Sequence, residues 1–251
     1  MLSILIRTKD EERNIERAIR SVLGLADEVV ILDSGSRDRT VEIAKSLGAR
    51  VFFKEWEGYA NQINYGISLC SGDWILLLDA DEELSKELRE SIRRELKNPK
   101  CSVYEVCRRT YYLGDFLKHT WYPEWKLRLF QKGKVSFEGV LHERAHFVGR
   151  KGRLKGDLYH YSYESLEDQY LKTIKYANIM AIDMKKKGRG FRLYNLIFNP
   201  LWHFLKVYFF GLGFLDGLRG FMVAMSGAIY VFLKYKFLYE LEQREKGKRL
   251  W

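Results

Sequence analysis

The feature that most restricts the fold is an alternation of apolar runs and amphipathic segments over the first hundred residues. The apolar runs at 2–7, 28–33, 50–53 and 74–79 are predicted strands. Apolar residues at helical spacing predict helices from near residue 10, at 38–47, at 59–70 and at 85–98. This β-α-β-α order predicts an α/β domain with a mostly parallel sheet and helices on both of its faces.

Polar residues follow the predicted strands at the positions where a parallel sheet binds ligands. Thr8 and Asp10 follow the first strand, and Asp33 follows the second. The carboxylate of Asp33 would accept a hydrogen bond from a nucleobase N–H. Thr8 and Asp10 would line the same pocket, or they would cap the first helix, because Thr8-x-x-Glu11 also fits a capping box.

Two further carboxylates lie at the end of the apolar strand at 74–79. Asp79 is the last residue of the strand, and Asp81 lies in the turn that follows it. In an extended chain this spacing places both on one side. Carboxylate oxygens are hard ligands that suit Mg²⁺ or Mn²⁺. An ion held in this way would keep coordination positions open for the oxygens of a diphosphate. Alternatively, the two aspartates cap the helix that begins near Ser85. Glu82 and Glu83 would also stabilise the N-terminus of that helix.

The second part of the chain has a different pattern. Residues 101–150 predict short strands around 103–109, 126–130 and 135–137, and residues 164–187 predict a helix. In the appendage at 191–239, the longest uncharged run is 220–233, shorter than the roughly twenty residues that a spanning helix needs. We therefore expect helices that lie in the membrane interface. The alternative is a helical subdomain buried against the core or a sister chain.

The net charge of +10 is concentrated in the C-terminal part. Residues 150–251 carry 19 Lys and Arg against nine Asp and Glu, whereas residues 1–149 carry equal numbers. A basic surface attracts nucleic acid or anionic lipid. Since these charges flank apolar and aromatic runs, we expect an anionic membrane surface as a partner and no nucleic acid.

Cysteine usage and the start of the sequence indicate the compartment. The three cysteines form no C-x-x-C pair, and residues 1–7 show no signal peptide. We therefore expect a cytoplasmic protein that is peripheral on the inner face of the cytoplasmic membrane.

Four ordered motifs resemble glycosyltransferase family 2, a large family of inverting enzymes. They are ILIRTKDEERNI at 4–15, LDSGSRDRT at 32–40, Q-x-N-x-G at 62–66 and GDWILLLDADE at 72–82. The later motifs KLRLF at 126–130 and FEGVLHE at 137–143 are similar to the branch that includes lipopolysaccharide inner-core glucosyltransferases.

The resemblance implies a GT-A fold, with a C-terminal helical appendage that associates with membrane. The GT-A domain would cover 1–160, divided into a nucleotide-sugar half at about 1–100 and an acceptor half at 101–160, and the helical, basic region would cover 161–251. The donor would be a nucleotide sugar, with a UDP-sugar favoured, and the acceptor would be lipid-linked or lipopolysaccharide. The predicted donor-binding residues are Thr8, Asp10, Glu11, Asp33, Gln62, Asn64, Asp79 and Arg128.

The resemblance also implies roles in the chemistry. Glu143 would be the base that deprotonates the acceptor hydroxyl, with Glu138 as the second candidate. Asp81, Asp79 and His160 would hold the Mg²⁺ or Mn²⁺ ion. Surface ion pairing of either glutamate, and packing of His160 in the core, are the alternatives.

Two other functions use the same features. A nucleotidyltransferase would employ the same carboxylates but release pyrophosphate. A non-enzymatic module would use only the basic, apolar C-terminal part for binding to membrane.

Overall fold

The computed structural model describes residues 1–139 and 144–248. The chain divides into two compact units. Unit 1 comprises Met1–Arg109 and Pro123–Tyr161, and unit 2 comprises Thr110–Tyr122 and Ser162–Trp251.

Unit 1 is built on a mixed sheet with short helices between its first strands. The strands are β1 Leu2–Thr8, β2 Glu28–Asp33, β3 Arg50–Phe53, β4 Trp74–Asp79, β5 Glu82–Leu84, β6 Val103–Tyr112, β8 Glu124–Gln131, β9 Val135–Glu138, β10 Arg144–Phe147 and β11 Lys151–His160. The helices are α1 Ile15–Val22, α2 Thr40–Ser46, α3 Tyr59–Leu69 and α4 Lys86–Lys97.

The strand order of the sheet is β3-β2-β1-β4-β8-β6-β11-β5. The first four strands are parallel, and β8 continues antiparallel to β4. Side chains of β1 and β4 are buried on both faces, because α1 and α4 cover one face and α3 the other. The α/β class and the parallel arrangement of the N-terminal strands are confirmed.

The first helix begins at Ile15, later than the predicted start near Asp10. Asp10 has a left-handed backbone (φ +54°). The backbone N–H groups of Asp10 and Glu11 bond side chains of the β2–α2 loop, so this stretch forms a loop. By contrast, α4 begins where predicted, because the Ser85 hydroxyl accepts a hydrogen bond from Leu88 N.

The ten-residue strand β11 was not predicted. Its inward residues Leu154 and Leu158 are separated by charged or glycine positions, so the apolar pattern is sparse. β11 pairs antiparallel with β5, and His160 lies opposite Glu82. β5 directly follows β4 in sequence, but it pairs at the far end of the strand order. The sheet therefore curls, and His160 on β11 lies near the carboxyl end of β4.

Unit 2 is mainly helical. It contains β7 Asp115–Phe116, paired with the end of β6, and the helices α5 Leu166–Lys186, α6 Leu193–Leu205 and α7 Gly217–Glu245. A π-helical turn (Lys206–Phe210) and a 3-10 turn (Gly213–Asp216) join α6 to α7. Residues on α5 and α7 form its main core cluster: Ala181, Met184, Val231, Tyr235 and Leu238.

Residues 110–122 were expected in the first domain and group instead with unit 2. The physical reason is Asp216, whose carboxylate accepts hydrogen bonds from the backbone N–H groups of Lys118, His119 and Thr120 at 2.7–3.0 Å. Arg219 adds a hydrogen bond to the carbonyl of Leu113 at 3.0 Å. The segment Gly213–Glu245 is long and apolar enough to cross a membrane, judged by length and composition alone.

Candidate active site

Two loops at the carboxyl ends of β1 and β2 are joined by hydrogen bonds between side chains and backbone. Asp10 N donates to Ser36 Oγ at 2.8 Å, and Arg37 N donates to the Asp10 carboxylate at 2.7 Å. Glu11 N donates to Thr40 Oγ1 at 2.8 Å, the contact that a capping box would have given to Thr8. Asp10 and Glu11 thus fix the shape of this edge of the sheet.

Asp33 ends β2 and is 5% exposed. Its carboxylate accepts hydrogen bonds from Gly35 N at 2.9 Å, Ser36 N at 3.1 Å and Ser36 Oγ at 2.5 Å. These bonds hold the β2–α2 turn and fix the orientation of Asp33 beside Thr8, with which it is paired in the sheet.

Asp79, at the end of β4, is held by two arginines. Arg7 on β1 donates to one carboxylate oxygen, and Arg128 on β8 donates to the other at 2.7 Å. Arg128 also donates to Glu82, which is fully buried and accepts the backbone N–H of Asp79 at 3.0 Å. Arg128, a predicted donor-binding residue, is thus paired with carboxylates inside the protein.

This cluster changes the acidity of its carboxyl groups. Burial raises the pKa of Asp79, but the positive charges of Arg128 and Arg7 outweigh burial and hold that pKa well below its usual range. Burial and the neighbouring charge of Asp79 raise the pKa of Glu82, against the opposite effect of Arg128. Asp79 is therefore the fixed anion of the cluster.

Asp81 and His160 are brought together by the curl of the sheet. His160 Nε2 lies 3.2 Å from the Asp81 carboxylate, and the two side chains are 13% and 25% exposed, respectively. Over the ranges 1–139 and 144–248, no group of three or more His, Cys, Asp or Glu side chains is arranged to hold a metal ion. Yet a carboxylate and an imidazole that converge fit a cation whose remaining ligands are water and diphosphate oxygens.

Gln62 and Asn64 on α3 bond backbone groups of unit 1. Gln62 Nε2 donates to the carbonyls of Lys54 and Glu55 at 3.1 and 2.8 Å, which holds the chain that leaves β3. The Asn64 amide donates to Phe137 O at 2.8 Å and accepts Phe137 N at 3.1 Å. It therefore fixes β9, the strand that leads toward residues 140–143.

Buried polar atoms without a hydrogen-bond partner concentrate at this same edge. In the described part of the chain they are Arg7 Nε and Nη1, Thr8 Oγ1, Gln62 Oε1, Arg128 Nε and, on α1, Arg17 Nε. Arg7 contacts the ring of Tyr59 at the start of α3 as well as Asp79. Since buried polar groups are normally satisfied, this concentration marks a polar ligand site.

Of the two candidate bases, the structure describes Glu138 but not Glu143. Glu143 lies outside the described residues. Glu138 is 74% exposed, and its carboxylate lies 3.3 Å from His146 Nε2 on the facing strand β10. Two tryptophans of neighbouring sequence pack in different units: Trp125 stacks on Arg153 in unit 1, whereas Trp121 packs against Tyr112 and Tyr163 in unit 2.

Sequence reasoning missed three members of the cluster: Arg7, Glu82 and Arg108. Arg108 Nη1 lies 3.5 Å from Glu82 Oε1, and Arg108 Nε lies 2.7 Å from Glu124 Oε2. A charged residue inside an otherwise apolar buried strand, as Arg7 is in β1, was the available indication, because such a charge requires a partner.

Residues 3–152 match the model of glycosyl transferase family 2. An uncharacterized glycosyltransferase of Rickettsia typhi is 36% identical over 98% of this chain and 89% of its own length. The lipopolysaccharide core biosynthesis glycosyltransferase LpsC of Rhizobium meliloti is 33% identical over 95% of this chain and 92% of its own.

A solved structure shows the same fold over the whole chain. The crystal structure of S. aureus TarS 1–349 superposes with a TM-score of 0.50, at 14% identity, and the match covers 100% of this chain and 93% of that one.

Proposed function

The chain belongs to glycosyltransferase family 2, and from that premise we propose that it transfers a sugar, with inversion, from a nucleoside diphosphate sugar to a lipid-linked or lipopolysaccharide-core acceptor. The observation that carries this proposal is the pairing of Asp81 with His160 beside the Arg7–Asp79–Arg128 cluster. The carboxylate–imidazole pair would hold a cation. That cation and the two arginines would together suit a diphosphate leaving group.

We assign Asp81 and His160 as the residues that would hold Mg²⁺ or Mn²⁺, which would supply positive charge to the departing nucleoside diphosphate. Asp79 is assigned a different role from Asp81. Both of its oxygens are engaged by arginines, so it orients Arg7 and Arg128 at the donor site. This division of labour within Asp-x-Asp is the main refinement over the metal set expected from the sequence.

We assign the donor nucleotide to the edge formed by the β1 and β2 loops and the start of α3. The partnerless atoms of Arg7, Thr8 and Gln62 support this assignment, because a nucleotide would offer them oxygen and nitrogen partners. Asp10, Glu11 and Asp33 contribute by fixing the loops. A UDP-sugar is the favoured donor.

We propose Glu143 as the base that removes the proton from the acceptor hydroxyl as this oxygen attacks the anomeric carbon. Asn64 supports the role by holding Phe137, six residues earlier in the sequence. The pairing of Glu138 with His146 gives Glu138 a role in the β9–β10 hairpin instead.

The acceptor and the location follow from similarity and charge. LpsC, 33% identical, is named for lipopolysaccharide core biosynthesis. The excess of basic residues at 150–251 supports a peripheral position on the inner face of the cytoplasmic membrane. The long apolar helix supports association with a membrane in general.

The test is product analysis with the purified chain, Mn²⁺, a panel of UDP- and GDP-sugars, and lipopolysaccharide-core acceptors of defined truncation. We expect free nucleoside diphosphate and a glycosylated acceptor with inverted anomeric configuration. Release of pyrophosphate would identify nucleotidyl transfer and contradict the proposal. Retained configuration would contradict inversion and the role of Glu143.

A further inference from the structure

Helix α6 in unit 2 has its polar side chains turned toward the protein. Asn195, Asn199 and His203 recur every four residues and form one stripe. Asn199 Nδ2 donates to the hydroxyl of Tyr235 on α7 at 2.8 Å. The His203 ring lies against Gly227, where an added Cβ would be 2.3 Å from Nε2. The polar stripe is therefore the face that packs on α7.

The opposite face of α6 is apolar and exposed. Its outward side chains are each 52–63% exposed: Leu193, Tyr194, Ile197, Phe198, Leu201 and Trp202. No residue of α6 is buried. A surface helix in water shows the reverse arrangement, with polar residues outward. A continuous exposed apolar face of this kind marks a surface that contacts protein or membrane.

The charges around α6 identify the partner. Between Leu193 and Leu205 the sequence has no Asp, Glu, Lys or Arg, whereas Arg189 and Arg192 precede the helix and Lys206 follows it. The sole acidic residue of 191–239 is Asp216, and its carboxylate is already engaged by Lys118, His119 and Thr120. An apolar face with cations at both ends and no free anion complements an anionic lipid leaflet.

Packing and length favour α6 over α7 as the helix that contacts lipid. α7 has the length and hydropathy of a spanning helix, and 33% of its apolar window is buried inside the protein. In its C-terminal half, Val231, Tyr235 and Leu238 pack against α5 in the core of unit 2. α6 has 13 residues, about 20 Å at 1.5 Å per residue, too short for a hydrocarbon core of about 30 Å.

We infer that α6 lies in the plane of an anionic membrane, with its outward apolar side chains inserted at the headgroup boundary and α7 behind it in the protein. Tyr194 and Trp202 have the amphipathic rings that favour this boundary. The inference rests on the proposed membrane association and adds the face and the mode of binding.

The experiment is co-sedimentation of the full chain with vesicles of phosphatidylcholine containing 30% phosphatidylglycerol, about as anionic as a bacterial inner leaflet. We expect the double substitution Ile197→Glu/Leu201→Glu to lower the partition coefficient at least ~10-fold. Leu171→Glu, which alters a 61%-exposed leucine on α5, is the matched control and should bind like the unsubstituted chain. Circular dichroism and the melting temperature should show that both variants fold.

Three outcomes would overturn the inference. They are equal binding of the folded double variant, equal loss in Leu171→Glu, and equal binding of the unsubstituted chain to purely zwitterionic vesicles. Carbonate at high pH should release the chain from cell membranes; retention would show that α7 crosses the bilayer. Nucleoside diphosphate release without vesicles tests the transferase separately, so failure of the one leaves the other measurable.

Discussion

Units 1 and 2 turn polar side chains inward for different reasons. In unit 1, Asp79, Glu82 and Arg128 are drawn from three strands into one buried cluster, and polar atoms around it lack partners. In unit 2, Asn199 and His203 turn inward while the other face of α6 displays apolar side chains. The comparison teaches that an inward-facing polar group can serve a ligand site, or it can leave the outer face of a helix free for an apolar environment.

The largest effect is expected from Asp81→Ala in unit 1. Turnover should fall to background, because His160 alone would remain to hold the cation. Stabilisation of the protein by UDP with Mn²⁺, measured as a shift in melting temperature, should disappear as well. Asp73→Ala, at an exposed carboxylate before β4, is the control. Mn²⁺-dependent stabilisation that persists in Asp81→Ala would exclude the metal assignment.

The next largest effect is expected from Glu143→Gln. Loss of a positioned base should lower the rate of the chemical step by ~10²–10⁴-fold while the affinity for the donor is retained. Single-turnover kinetics and UDP titration measure the two quantities. Glu138→Gln is the comparison, and a larger rate loss there would transfer the role of base to Glu138.

Arg128→Met tests whether the unit 1 cluster depends on internal pairing. Asp79 and Glu82 would lose their shared cation, and an uncompensated buried charge typically costs about 3–5 kcal/mol of unfolding free energy. Urea unfolding followed by tryptophan fluorescence gives this value. Arg20→Met removes an exposed pair with Glu16 and should change stability by at most about 0.5 kcal/mol. Similar losses in the two variants would contradict the special status of the cluster.

Asp216→Asn tests a half-buried carboxylate acceptor of unit 2 and should have the smallest effect. Burial raises the pKa of Asp216, but hydrogen bonds from Thr120, Lys118 and His119 outweigh it and lower the pKa. Its contribution to stability is therefore present above the unfolded-state pKa of about 3.9 and is lost as pH falls through the lower folded-state pKa. The substitution should cost about 1–3 kcal/mol at pH 7.

Melting temperatures from pH 6 to pH 3 provide the measurement. The stability difference between Asp216→Asn and the unsubstituted chain should shrink toward pH 3. A difference that is independent of pH would show that the carboxylate charge is not what holds residues 118–120.

The parts of unit 1 that follow from local pattern were predictable. The runs that form β1, β2, β3 and β4 are mainly apolar, and their order alone places the acidic residues that follow them at one edge of the sheet. The start of α1 was not predictable, since it depends on Ser36 and Thr40 binding the backbone of Asp10 and Glu11. A hydrogen bond between residues distant in sequence leaves no periodic pattern.

The sequence by itself determined the family, the α/β class and the basic, apolar character of the C-terminal part, because motif order, hydrophobic period and charge are properties of the chain. Only the tertiary structure decided which partners the carboxylates have. Asp79 and Asp81 are equivalent in a linear motif, but Arg7 and Arg128 reach the first and His160 reaches the second. Tertiary packing likewise decided which stripe of α6 faces outward, because α7 offers Tyr235 and Gly227 to the polar side.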